Sequence, residues 1–234
     1  MQPDTSHRYG VLRRVVKLCA VLLVAGLPFA GRAAAPDGTL QVVALGDSLT
    51  AGYGLEPGQS FAAKLETALK AKGLKVKVHN AGVSGDTASA GLSRLDWALA
   101  GVPGKPDLVI LELGANDMLR GVDPAVTTKA LTAIMERFRK DGVAVLIAGM
   151  KAAPNMGAAF VKQFDAIYPA LAKKYGAPLY PFFLEGVAGN KALHLPDGLH
   201  PTAKGVDVIV TGIAPMVHNL LQKRPAGAKA AGAE

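Results

Sequence analysis

Cysteine is almost missing from these 234 residues; Cys19 is the only one. A lone thiol excludes an intrachain disulfide framework and a multi-cysteine metal site. Aromatic residues make up 6% of the chain, and no basic stripe interleaved with them occurs, which excludes the usual signature of a nucleic-acid surface. No His, Asp or Glu cluster has metal-ligand spacing, and neither a P-loop nor a complete Gly-x-Gly-x-x-Gly is present. Gly-x-Ser-x-Gly, the nucleophile elbow of α/β-hydrolases, is absent as well. There are no internal repeats and no composition break that would mark a linker. The apolar run Leu18 to Ala30 is 13 residues long, too short to span a bilayer comfortably.

Charge is present in excess, at +8, but it is unevenly placed. Residues 1–35 hold Arg8, Arg13, Arg14, Lys17 and Arg32 against Asp4, so half of the excess sits there. Basic residues, then the apolar run, then Gly31-Arg32-Ala33-Ala34-Ala35 form the order of a Sec-type secretory signal, with cleavage expected near Ala33. Arg13-Arg14 also invites a twin-arginine reading, but Lys17 interrupts the start of the apolar run. Residues 1–35 are therefore read as a signal peptide and the protein as periplasmic or secreted. Cys19 falls inside that signal, which leaves the mature chain without a thiol. Residues 222–234, rich in Ala, Gly and Lys, read as a disordered tail.

Between these ends, 36–221 alternates strand and helix patterns, which predicts a parallel sheet covered on both faces in a single α/β domain. Apolar runs at 40–45, 76–79, 107–113, 143–148 and 179–183 are the predicted strands. Helices are predicted at 58–72, 87–99, 124–140, 158–175 and 202–221, with Ser60 capping the first and Asp86 the second. Pro169 predicts a kink or break in the fourth.

The first strand stops in Gly46-Asp47-Ser48-Leu49, which puts Ser48 at the carboxyl edge of the sheet, where open α/β sheets bind ligands. Three further loops carry polar or small residues there. Gly82 lies in Asn80-Ala81-Gly82-Val83-Ser84-Gly85-Asp86-Thr87, Asn116 in Gly114-Ala115-Asn116-Asp117, and Asp197 with His200 in Asp197-Gly198-Leu199-His200-Pro201. A serine hydroxyl needs a base to take its proton, and the base needs a third group to hold its tautomer. Asp197 and His200 can meet in their tight turn and aim the ring at Ser48. Attack on an acyl carbonyl also needs donors for the oxyanion, and the backbone N–H groups of Ser48 and Gly82 with the Asn116 amide are the candidates. In strand order 2-1-3-4-5, Ser48 and Asn116 flank the crevice. Asp47 and Asp117 read as loop braces, His194 is the lesser candidate for the base beside His200, His79 reads as a packed or surface histidine, and His7 and His218 have no partner in view.

These four blocks, in this order, resemble those of the SGNH (GDSL-type) hydrolases. Ala81 to Leu95 and the stretch from Ala166 to Phe183 are similar to the branch of periplasmic thioesterases, lysophospholipases and arylesterases. The resemblance covers roughly Leu40 to Leu221. It implies a flavodoxin-like three-layer α/β/α fold and cofactor-free hydrolysis of esters and thioesters carrying an acyl or aryl group. It implies Ser48, Asp197 and His200 as the triad, with Ser48, Gly82 and Asn116 at the oxyanion positions. Through the loop after the fourth strand it implies Met150, Pro154 and Met156 as substrate contacts. The expected partner is a small ester or thioester, without nucleic acid or a stable membrane span, and the protein is read as a monomer. A carbohydrate O-acetylesterase would use the same machinery, and a non-catalytic acyl-binding protein would keep the fold without turnover.

Overall fold

The computed structural model describes residues 37–223. The expected signal peptide lies outside these residues, as does the expected tail beyond Lys223. Five strands form one parallel sheet: β1 (Leu40–Gly46), β2 (Val76–Gly82), β3 (Leu108–Glu112), β4 (Val145–Ala148) and β5 (Leu179–Tyr180). Their order is β2-β1-β3-β4-β5, as the sequence predicts. The reversal between β1 and β3 leaves a crevice at their carboxyl ends.

Helices α1 (Ser48–Ala51), α2 (Phe61–Ala71), α3 (Ala88–Ser93), α4 (Leu95–Ala100) and α5 (Ala115–Leu119) occupy the first half of the chain. They are followed by α6 (Pro124–Lys140), α7 (Ala158–Asp165), α8 (Ile167–Tyr175) and α9 (Ala203–Gln222). Right-handed crossovers explain the layers. The step from β1 to β2 runs one way along the sheet and the later steps run the other, so α2 lies on one face and α3, α6 and α8 on the opposite one. Helix α9 returns to pack beside α2. With both faces covered, β3 and β4 are buried at every residue and β1 at all but its first, whereas the edge strand β2 alternates buried and exposed. Val42, Val43, Leu45, Ile110 and Leu146 are almost wholly buried, each such side chain contributing about 1.5–3 kcal/mol.

Several boundaries differ from the sequence reading for physical reasons. The helix expected over 87–99 is two helices, parted at Arg94, whose guanidinium reaches back to the sheet. Its cap is Thr87, whose hydroxyl accepts from the Ala90 N–H; Asp86 instead pairs with Arg94. The break before Pro169 comes at Ala166, because the proline ring excludes the carbonyl four residues back, that of Asp165. The last strand is only Leu179–Tyr180, and α9 runs to Gln222, the first residue of the expected tail.

Candidate active site

Ser48 opens α1 immediately after β1. Asp47 caps that one-turn helix, its Oδ1 accepting from the Leu49 N–H at 3.0 Å, and Gly52 ends it in the left-handed region at φ +86°. Ser48 thus sits on a tight turn at the sheet's carboxyl edge. Gly46 is required just before it, since a Cβ there would lie 2.1 Å from Thr50 Oγ1 and 2.4 Å from Glu112 Oε2.

From the far end of the chain, the loop before α9 brings His200 to the same point. Its Nε2 lies 2.8 Å from Ser48 Oγ, and its Nδ1 lies 2.7 Å from Asp197 Oδ2. The other Asp197 oxygen accepts from the backbone N–H groups of Leu199 at 2.9 Å and His200 at 3.0 Å. Those N–H groups, with the His200 ring, hold the Asp197 carboxyl down at about 2, so it is anionic across the physiological range. Ser48, His200 and Asp197 therefore stand in the order that the sequence reading predicts. His194 is directed elsewhere, its Nδ1 meeting the Asn190 carbonyl at 3.0 Å. His79 pairs with Gln41, and burial lowers its basicity.

Asn116 reaches the site from the start of α5. Its Nδ2 donates to Asp47 Oδ2 at 3.1 Å and to the Asp86 carbonyl at 3.0 Å, so the amide is fixed between the first and second loops. Asp117 braces the same region: its carboxylate accepts from the Ala88 N–H at 2.8 Å and the Thr127 hydroxyl at 2.9 Å. Arg94 ties the ends of β1 and β2 together. It donates to the Gly46 carbonyl at 3.0 Å and the Ala81 carbonyl at 2.9 Å, and pairs with Asp86.

Gly82, expected as an oxyanion donor, has its N–H already engaged. Its N–H donates to the side chain of Asn80 at 3.0 Å. A Cβ at Gly82 would stand 2.3 Å from the Ala51 N and 2.8 Å from the Asp47 carbonyl, so this glycine lets β2 pass close beneath α1. Three residues on, Gly85 takes φ +87°, and its carbonyl accepts from Arg120 at 2.8 Å. Its N–H and that of Ser48 have no hydrogen-bond partner among the described residues. The sequence carried a signal for Gly85: a glycine directly ahead of the Asp86-Thr87 helix start.

Met150 also departs from its expected role. It is 4% exposed and packed in the core, so it fills the interior and does not line a groove. Pro154 and Met156 form a short 3₁₀ turn on the loop after β4, exposed and half-buried respectively, on the sheet edge that carries Ser48.

Two carboxyls beneath Ser48 were not read as a pair from the sequence. Asp47 is fully buried, and burial is the main cause that pushes its carboxyl up to about 6. Glu112, also fully buried, accepts from the Thr50 hydroxyl at 2.7 Å and the Asp47 N–H at 3.4 Å, while its Oε1 has no partner among the described residues. Burial first, and the Asp47 charge second, raise the Glu112 carboxyl well above the usual range, which favours its neutral form. The signal was Glu112 itself, a carboxyl inside an apolar strand. No group of three or more His, Cys, Asp or Glu among the described residues could hold a metal ion.

A doubly wound sheet with a Ser–His–Asp line at its switch point defines a serine hydrolase. Comparison with known proteins agrees: the GDSL-like Lipase/Acylhydrolase family matches residues 44–208, and the chain belongs to that family. Esterase TesA of Pseudomonas aeruginosa is 39% identical over 183 residues, which are 78% of this chain and 89% of that protein. The thioesterase 1/protease 1/lysophospholipase L1 of Escherichia coli K12 is 36% identical over 190 residues, 81% of this chain and 88% of that one. Among solved structures, the SGNH-hydrolase family esterase AlinE4 is 47% identical, with a TM-score of 0.67, covering 80% of this chain and 98% of its own. The protein is a serine ester hydrolase.

Proposed function

We propose that this chain is an exported serine acyl-hydrolase that cleaves carboxylic esters and acyl-thioesters through an acyl-enzyme. One observation carries the mechanism: Ser48 Oγ, the His200 ring and the Asp197 carboxylate form one continuous hydrogen-bonded line. Ser48 Oγ attacks the substrate carbonyl carbon while His200 Nε2 takes its proton. Asp197 holds the Nδ1–H tautomer and stabilises the imidazolium. The tetrahedral intermediate collapses as the imidazolium gives that proton to the departing alcohol or thiol. Water then repeats the sequence on the Ser48 ester and releases the acid.

The oxyanion is received by the Ser48 and Gly85 N–H groups and by the Asn116 amide, which exchanges one of its two present bonds, to Asp47 Oδ2 or to the Asp86 carbonyl, for the substrate oxygen. The support for Gly85 is its unpartnered N–H and its place one residue from the carbonyl that anchors Asn116. Donors fixed beforehand are worth about 10²–10³ in rate each. Substrate scope follows the relatives, among them an esterase and a thioesterase 1/lysophospholipase L1. Export rests on the basic, apolar and small-residue order of residues 1–35. No helix among the described residues is long and apolar enough to cross a membrane.

The test is a panel of aryl esters, acyl-thioesters and acetyl-sugars of graded acyl length, with Ser48→Ala protein as the blank. Ester and thioester turnover that vanishes in the blank supports the reading. Turnover confined to acetyl-sugars, or persisting in the Ser48→Ala protein, contradicts it.

A further inference from the structure

Tyr53 is a large aromatic residue left 53% exposed, yet its ring lies against the His200 imidazole, centroids 4.4 Å apart and planes inclined by 37°. The chain is shaped to put it there. Gly52 and Gly54 flank it at φ +86° and +72°, a backbone region that residues with a Cβ rarely enter. The Tyr53 N–H closes back on the Ser48 carbonyl at 3.1 Å, so the ring is tied to the nucleophile's own turn. A Cβ at Gly52 would stand 2.7 Å from Ser60 Cβ, and one at Gly54 would stand 2.7 Å from Leu195 Cδ1. The absence of a Cβ at both positions thus lets this turn lie close to its neighbours, the second of them on the loop that carries His200. The Tyr53 hydroxyl makes no hydrogen bond among the described residues, so the placement is that of a ring and not of a polar handle.

We propose that Tyr53 is a positioning residue for His200: its π face holds the imidazole in line with Ser48 and favours the imidazolium formed during each proton transfer. The inference rests on the hydrolase reading above. An aromatic face attracts a cation through its quadrupole, and the attraction strengthens where water is displaced from the ring. His200 gains its positive charge only as Ser48 loses its proton. Stabilisation by Tyr53 is thus larger in the transition state than in the resting enzyme, which is the condition for raising kcat. The charged and titratable groups facing His200 are Asp197 on its own loop and, from the β1–α1 turn, Asp47, with Ser48 at Nε2. None of them is altered by changing Tyr53.

The experiment compares Tyr53→Leu and Tyr53→Phe with the parent, on a short p-nitrophenyl ester, measuring kcat and KM across pH. Ser48→Ala protein is the blank; residual turnover there strikes at the hydrolase reading and not at Tyr53. The Leu variant is expected to lose roughly three- to tenfold in kcat with KM within about twofold. Its acidic limb of kcat/KM should move to lower pH by roughly half a unit, because the protonated ring is less favoured there. The Phe variant, which restores the ring without the hydroxyl, should recover both quantities. An acidic limb that stays in place in the Leu variant, a change confined to KM, or a Phe variant as impaired as the Leu one each overturns the proposal.

Discussion

The amide of Asn116 is tethered to the carboxylate of Asp47, Nδ2 to Oδ2 at 3.1 Å, and Asp47 is the residue immediately before Ser48. Asn116 and Ser48, the proposed oxyanion donor and nucleophile, therefore share one support. In the proposed mechanism, replacing Asn116 with alanine removes a donor that acts on charge present only in the transition state. Turnover of an aryl ester is expected to fall on the order of 10²–10³-fold with little change in KM. Steady-state kinetics check this, and a loss that appears in KM alone contradicts it.

Asp47→Asn tests the tether from the other side. The carboxylate accepts from both the Leu49 N–H and the Asn116 amide, whereas an amide in its place has a single acceptor oxygen, so one of those two bonds is lost and kcat should drop while the triad distances persist. Stability responds in the opposite sense at neutral pH. Burial raises the folded Asp47 carboxyl from 3.8 to about 6, so its charge is disfavoured in the native state. The folded protein binds the extra proton between those values, and stability declines as pH rises through the window. Relative to the parent, Asp47→Asn should gain on the order of 3 kcal/mol between about pH 4 and pH 6. Urea unfolding of both proteins across that range reads the difference; a constant gap contradicts the assignment.

Gly82 is a packing glycine, whereas Gly85 is the one proposed to donate to the oxyanion. A methyl group at Gly82 meets the backbone of Ala51 and Asp47 at 2.3–2.8 Å, where nothing flexible can give way. Gly82→Ala should therefore lower stability by about 1–3 kcal/mol, seen as a reduced Tm. A Gly82→Ala protein with the parent's Tm contradicts this packing role.

The legible and the hidden parts of the site differ in kind. Ser48, Asn116, Asp197 and His200 could be found because each sits where an apolar run gives way to turn residues, and the sheet order follows from strand–helix alternation. Which of two glycines three residues apart keeps a free N–H could not be found that way, because the Asn80 side chain decides it. Met150 is polarizable and borders a loop, but only packing shows that it turns inward. The link among Glu112, Thr50 and Asp47 spans more than sixty residues and needs the β1–β3 register to bring it together. Likewise the split at Arg94 follows from a guanidinium reaching two strand ends, a contact that helical periodicity does not encode.

The central claim is that Ser48 is a nucleophile activated by His200. A p-nitrophenyl alkylphosphonate, which mimics the tetrahedral intermediate and stays on the attacking oxygen, tests it most directly. Intact mass and peptide mapping should show a single adduct on the peptide containing Ser48, formed in step with loss of esterase activity and strongly slowed in His200→Ala. Inactivation with the adduct on another residue, or labelling at the same rate without His200, contradicts the account.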